Sequence, residues 1–203
     1  MKRREFIQNA SLTGLGVVAG ATAIGCKNGD ESKKNNVLNS EETKTTFPVV
    51  VATWDVKKAT TKAWEVIEDG GTALDAIEQG CMIEEANAEG QSVGIGGLPD
   101  QDGNVTLDAC IMNKKGDYGA VVYLQNIMHP ISVARKVMED TPHVILAGKG
   151  AEKFAVSKGF KKENLLTPKS KKAWEEWKKT SEYKPIINIE NHDTIGMLAI
   201  DKN

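Results

Sequence analysis

Near its C-terminus the chain reads Asn191-His192-Asp193-Thr194-Ile195-Gly196. A threonine hydroxyl is a poor nucleophile unless a base takes its proton, and the Asp193 carboxylate beside Thr194 is placed to do so. Taken alone, His-Asp-Thr reads equally as a loop entering a strand. The other candidate groups point away from chemistry. Cys81 falls on the apolar stripe of a helix with Leu74 and Ile77, as a small buried hydrophobe would. An oxidising compartment would allow a Cys81–Cys110 disulfide, but two cysteines make no framework. His129, His143 and His192 lack metal-ligand spacing and no Cys-x-x-Cys pair is present, so no metal site or cofactor is expected. Ser92-Val93-Gly94-Ile95-Gly96-Gly97 fails as a dinucleotide fingerprint because Pro99 and Asp102-Gly103 make turns where a helix is required. Counted from Asp100, a calcium loop would need Gly and Glu where Val105 and Ile111 stand.

The elements that must position these groups begin at Phe47. Pro48–Ala52 is a β-branched run expected to be a strand buried on both faces, delivering Thr53-Trp54 at its end. A helix over Lys57–Glu68 stops at Asp69-Gly70-Gly71. Thr72-Ala73-Leu74-Asp75 opens a second helix with a capping-box variant, and Glu78, Glu84 and Glu85 fall mostly off its apolar stripe. Strands are expected over Asn104–Met112 and Asp117–Gln125, joined by a turn at Lys114-Lys115-Gly116. A helix at Pro130–Glu139, a strand at His143–Leu146 and a helix over about Gly150–Lys158 follow. Pro168–Thr180 reads as a charged helix with Trp174 and Trp177 on one apolar edge, and Pro185–Ile189 as a strand-like connector. Ile195–Ile200 is apolar on both faces and belongs in the centre of a sheet.

Composition bounds the rest. The 203 residues are 40% hydrophobic and 27% charged, with Lys plus Arg 26 against Asp plus Glu 28. No basic surplus exists for nucleic acid, and no apolar run approaches the roughly 20 residues of a membrane span. Residues 1–25 read as an export signal. Arg3-Arg4-x-Phe6-Ile7 resembles a twin-arginine signal, and Ala23-Ile24-Gly25-Cys26 resembles a lipobox, except that Ala23 stands where Leu is preferred. Cys26 is thus either a lipidation site or an ordinary cysteine beside a cleavage site. Residues 26–46, almost free of apolar side chains after Cys26, read as a flexible tether. The expected location is the periplasm or its membrane face, with a lipid anchor as the sole membrane contact.

With its neighbours, the C-terminal segment is stronger than His-Asp-Thr alone. Asn188–Asp201 resembles the autoprocessing junction of glycosylasparaginases, members of the N-terminal-nucleophile hydrolases. Ser92–Asp100, Asp102–Met112, Pro130–Arg135 and the strand ending in Thr53-Trp54 resemble that family's α subunit. The resemblance implies an αββα four-layer sandwich, with residues 47–193 as the α-subunit region and 194–203 as the start of a β subunit. It also implies that Thr194 Oγ1 attacks the Asp193 carbonyl, forming an ester that water opens to free a chain beginning at Thr194. The new α-amine, with an ordinary pKa of about 7.7–8.0, then serves Thr194 as general base. The implied substrate is a glycoasparagine, and the implied assembly an α/β heterodimer that pairs again. Trp54 is carried over as a wall of the substrate pocket, with core packing as its equal alternative.

The family's carboxylate-binding Arg and Asp and its oxyanion Thr-Gly pair belong downstream of the nucleophile, and the sequence stops at Asn203. The sandwich is therefore expected to be incomplete and the 203-residue piece, made alone, inactive, as a fragment or truncated product. Two rival readings are an isoaspartyl peptidase or plant-type L-asparaginase of the same superfamily, and a non-catalytic exported lipoprotein relic.

Overall fold

The structure, a computed structural model, describes residues 47–180 and 194–202. The signal and tether (1–46), the Pro185–Ile189 connector, His192 and Asp193 lie outside the described residues. Strand β1 (Val49–Ala52) pairs antiparallel with β5 (Met197–Ile200), Val49 opposite Ile200 and Ala52 opposite Met197. Helices α1 (Lys57–Glu68) and α2 (Ala73–Glu85) pack on this pair, burying Ala59, Ala63, Val66, Ile67 and Ala76 with Val50, Met197 and Ala199 partly covered against them. Gly70 ends α1 at φ +86°, where L side chains are strained. The capping box at α2 is present in full: Thr72 Oγ1 accepts from the Asp75 amide and Asp75 Oδ2 accepts from the Thr72 amide, each at 3.2 Å.

A second sheet holds β2 (Leu107–Met112), β3 (Tyr118–Leu124) and β4 (Ile145–Ala147). β2 and β3 form an antiparallel hairpin, and β4 lies parallel to β3. Helix α3 (Pro130–Asp140) makes the crossover between β3 and β4 and packs on the sheet so closely that a Cβ at Gly119 would meet the Ala134 carbonyl at 2.2 Å. Helix α4 (Gly148–Ser157) follows β4 directly, and α5 (Pro168–Thr180) closes the first described segment. The main core joins Ile111, Val121, Leu124, Val133 and Val137 to Cys81 of α2, with Ile195 and Met197 packed against it. The fold is thus mixed α/β, with helices on each of two sheets, in keeping with the expected α+β hydrolase architecture.

Several expectations are corrected. β1 and β5 are not buried on both faces: Leu198 is 72% exposed and Val51 and Ile200 are 50% exposed. Alternation turns one face of the pair to α1 and α2 and the other outward, and among the described residues β5 has β1 as its single strand partner. The second strand starts at Leu107 because Asp100 Oδ1 captures the amides of Asp102 and Asn104 in a local turn. β4 starts late, at Ile145, because Thr141 Oγ1 holds the His143 amide at 3.0 Å. Ser92–Gly97 is a loop of turns, not a strand end.

Candidate active site

Antiparallel pairing brings the end of β1 to the start of β5, and so Trp54 to Thr194. The Thr53 amide donates to the Gly196 carbonyl at 3.0 Å, and the Gly196 amide donates to Thr53 Oγ1 at 3.0 Å. Position 196 has no room to spare: a Cβ there would touch Thr53 Cγ2 at 3.0 Å. One residue further, Trp54 Nε1 donates to the Thr194 carbonyl at 2.6 Å. Trp54 is 41% exposed, so the core-packing alternative for it does not hold. Thr194, itself exposed, lines a cavity of about 610 Å3 between the segment leading into β5, α2, the β2–β3 hairpin and the start of α3. Trp54 abuts Thr194 without being part of that lining.

The cavity wall holds two carboxylates, Glu85 and Asp108, that no candidate-site pattern in the sequence marks. Glu85, the last residue of α2, is 3% exposed. Its Oε1 accepts from the Ile131 amide at 3.0 Å, and its Oε2 lies 3.1 Å from His129 Nδ1. Burial pushes the Glu85 carboxyl above the usual carboxylate range, opposed by its hydrogen bonds to His129 and Ile131. Glu85 was expected off the apolar stripe; it lies on it, four residues after Cys81. That spacing was the available signal. Asp108 sits where the β2–β3 register shifts between Leu107 and Ala109. Its Oδ1 accepts from the Tyr123 amide at 2.7 Å, and Tyr123 is held at φ +54°. A bulge re-aims side chains in this way.

The glycine-rich loop forms another part of the wall and is gripped from two sides. Gly94, at φ +63°, lies where a Cβ would be 1.9 Å from the Glu85 carbonyl, and that carbonyl accepts from the Ile95 amide at 2.8 Å. From the other side the Leu165 carbonyl accepts from the Gly96 amide at 2.8 Å, and the buried Ser170 hydroxyl donates to the Gly96 carbonyl. The loop's glycines thus serve close backbone approach.

Cys81 is buried, and burial, with the Glu85 charge adding to it, pushes its thiol up to about 12. It stays protonated at neutral pH and is no nucleophile. Cys81 and Cys110 are both free thiols, so the disulfide left open by the sequence is not formed. Among the described residues no three His, Cys, Asp or Glu side chains converge as metal ligands, and no helix is long and apolar enough to cross a membrane.

A family model described as asparaginase matches residues 36–203. The chain belongs to the asparaginase family. Several of its relatives carry the glycosylasparaginase name that the sequence resemblance implied, within the N-terminal-nucleophile hydrolases. It is 54% identical over 201 residues to the N(4)-(beta-N-acetylglucosaminyl)-L-asparaginase of Elizabethkingia miricola, covering 98% of this chain and 56% of that relative. The protein of the same name from Rattus norvegicus is 41% identical over 187 residues, covering 77% of this chain and 54% of its own. A probable isoaspartyl peptidase/L-asparaginase 3 of Arabidopsis thaliana is 32% identical over 201 residues, covering 77% and 56%. The chain spans about half the length of the curated relatives it matches.

Proposed function

We propose that the chain carries the nucleophile of a glycosylasparaginase, which cuts itself between Asp193 and Thr194 and then hydrolyses the N4-(β-N-acetylglucosaminyl)-L-asparagine linkage. The observation that supports this most is the meeting of Trp54 and Thr194 at the rim of a cavity of about 610 Å3, a volume within the usual range for small-molecule sites. In this reading the freed Thr194 amine takes the proton of Oγ1, which attacks the side-chain carbonyl of the glycosylated asparagine. The amine returns the proton to the departing nitrogen of the glycosylamine, leaving aspartate esterified to Thr194, and water hydrolyses that ester. Trp54 holds the carbonyl on the downstream side of the scissile bond, so this strut outlasts the cut. The oxyanion and carboxylate-binding groups belong to the family's β subunit, which pairs with the α-subunit region as a heterodimer. Residues 1–25 serve as a twin-arginine export signal, and Cys26 anchors the protein by lipid on the far side of the membrane.

The Arabidopsis relative favours a second reading, hydrolysis of β-aspartyl peptides or asparagine. Protein expressed from its whole reading frame decides between them. It should yield a species with Thr194 at its N-terminus by mass spectrometry, and turn over aspartylglucosamine faster than a β-aspartyl dipeptide. Thr194→Ala should lose both cleavage and turnover, the latter at least about a thousandfold. Cleavage persisting in that variant would sink the mechanism, and preference for the dipeptide would select the second reading.

A further inference from the structure

Asp201 closes β5 at the end opposite Thr194. Its Oδ2 accepts from the Ala73 amide at 2.7 Å, across 128 residues of sequence. Ala73 is the first residue of α2, and its N–H is one of the donors that a helix N-terminus leaves without an intrahelical partner. The Thr72 side chain takes the Asp75 amide instead, leaving Ala73 to Asp201. A carboxylate at this place gains from the charge-assisted bond and from the helix dipole.

We propose that Asp201 is a positioning residue for Thr194: it fixes the register of β5 by tying that strand to α2. The inference rests on the reading of Thr194 as the nucleophile. A two-stranded ribbon is marginal by itself, so the register of β1 on β5 needs outside support. A slip of one residue would turn Met197 out of the core and Leu198 into it. A slip of two keeps the faces but carries Thr194 along the strand by about 7 Å. Nucleophilic attack needs the reacting atoms within about 3–3.5 Å, and a misplacement of about 1 Å can cost a hundredfold in rate. The bonds at the Thr194 end, Thr53 to Gly196 and Trp54 to Thr194, join β5 to its own partner strand and the residues just after it. Asp201 refers the strand to a different element.

That element is itself fixed. Arg135 Nη1 reaches Asp75 Oδ1 at 2.7 Å and Glu78 Oε2 at 2.6 Å, tying the first turns of α2 to α3. At the far end of α2, Glu85 forms cavity wall. One helix therefore sets the strand that carries the nucleophile and the wall that the nucleophile faces. Once the chain is cut before Thr194, the Asp201–Ala73 bond also joins the two products.

Asp201→Ala, Asp201→Glu and Asp201→Asn in the protein expressed from its whole reading frame test this. Asn keeps an oxygen for the Ala73 amide and should hold kcat within about threefold. Ala, and Glu with its carboxylate displaced by one methylene, should lower kcat about tenfold with KM changed less than threefold. Hydrogen exchange at the Ala73 amide should speed up in the Ala variant and not in the Asn variant. Unchanged kcat in Asp201→Ala, whatever the exchange rate, overturns the proposal, as does an Asn variant as impaired as Ala. If Asp201→Ala does not fold, the Asn and Glu variants decide by the same comparison. The exchange measurement reads the anchor without catalysis: a wild-type protein inert towards aspartyl amides counts against the Thr194 reading, and unprotected Ala73 counts against the anchor.

Discussion

Trp54 has one side-chain donor, the indole N–H, and it is committed to the Thr194 carbonyl at 2.6 Å. The ring thus props the backbone of Thr194, the residue proposed above as nucleophile. Trp54→Phe keeps the apolar surface and removes the strut. A hydrogen bond of this kind is worth about 0.5–1.5 kcal/mol net, so steady-state kcat/KM should fall roughly two- to tenfold; a variant at wild-type rate would show the strut to be idle. Glu85 offers a test by pH. Its carboxyl is raised in the folded state chiefly by burial, so the stability it contributes is present below the ordinary glutamate pKa of about 4.3 and is lost as pH rises through the folded value. Glu85→Gln removes that dependence, and its melting temperature relative to wild type should climb as pH rises from 4 towards 8. A difference flat in pH would show that Glu85 does not titrate there. Thr194 and Trp54 stand inside motifs that single them out in the sequence, and the structure sets them side by side. Glu85 was not legible there, because an acid at the end of a helix reads as solvated until the His129 side chain and the Ile131 amide are seen to receive it.

Elements with their own stop signals came out as read. α1 runs Lys57–Glu68, ended at Asp69-Gly70-Gly71 as expected. Strand ends were less legible, since the side chains of Asp100 and Thr141 hold backbone that would otherwise extend the strands. Gly80 was invisible as a constraint, because nothing local marks it. It lies in mid-helix in α2, where a Cβ would be 2.9 Å from the Ala59 carbonyl and 2.7 Å from Met197 Sδ. Alanine there gains up to about 1 kcal/mol of helix propensity but must push α1 or β5 away, which typically costs about 1–3 kcal/mol. Gly80→Ala should therefore lower the denaturant midpoint; a raised midpoint would mean that the α1–α2–β5 contact yields easily.

Across the whole described molecule, each sheet turns one face to its helices and leaves the other open. On the larger sheet the open face carries Cys110, Met112, Tyr118 and Ile145, and it runs into the cavity that Thr194 lines. The identity of the inward residues followed from alternation along each strand. Which strands would be neighbours did not: β1 and β5 lie near opposite ends of the folded part, and no local pattern announces their pairing. That pairing has a kinetic consequence. Closing a loop of this length costs on the order of 4 kcal/mol of chain entropy, so it comes favourably only after the helices and the hairpin between have gathered their contacts. By this loop-closure argument the topology orders events, bringing the Thr194 backbone to Trp54 only after the intervening contacts form.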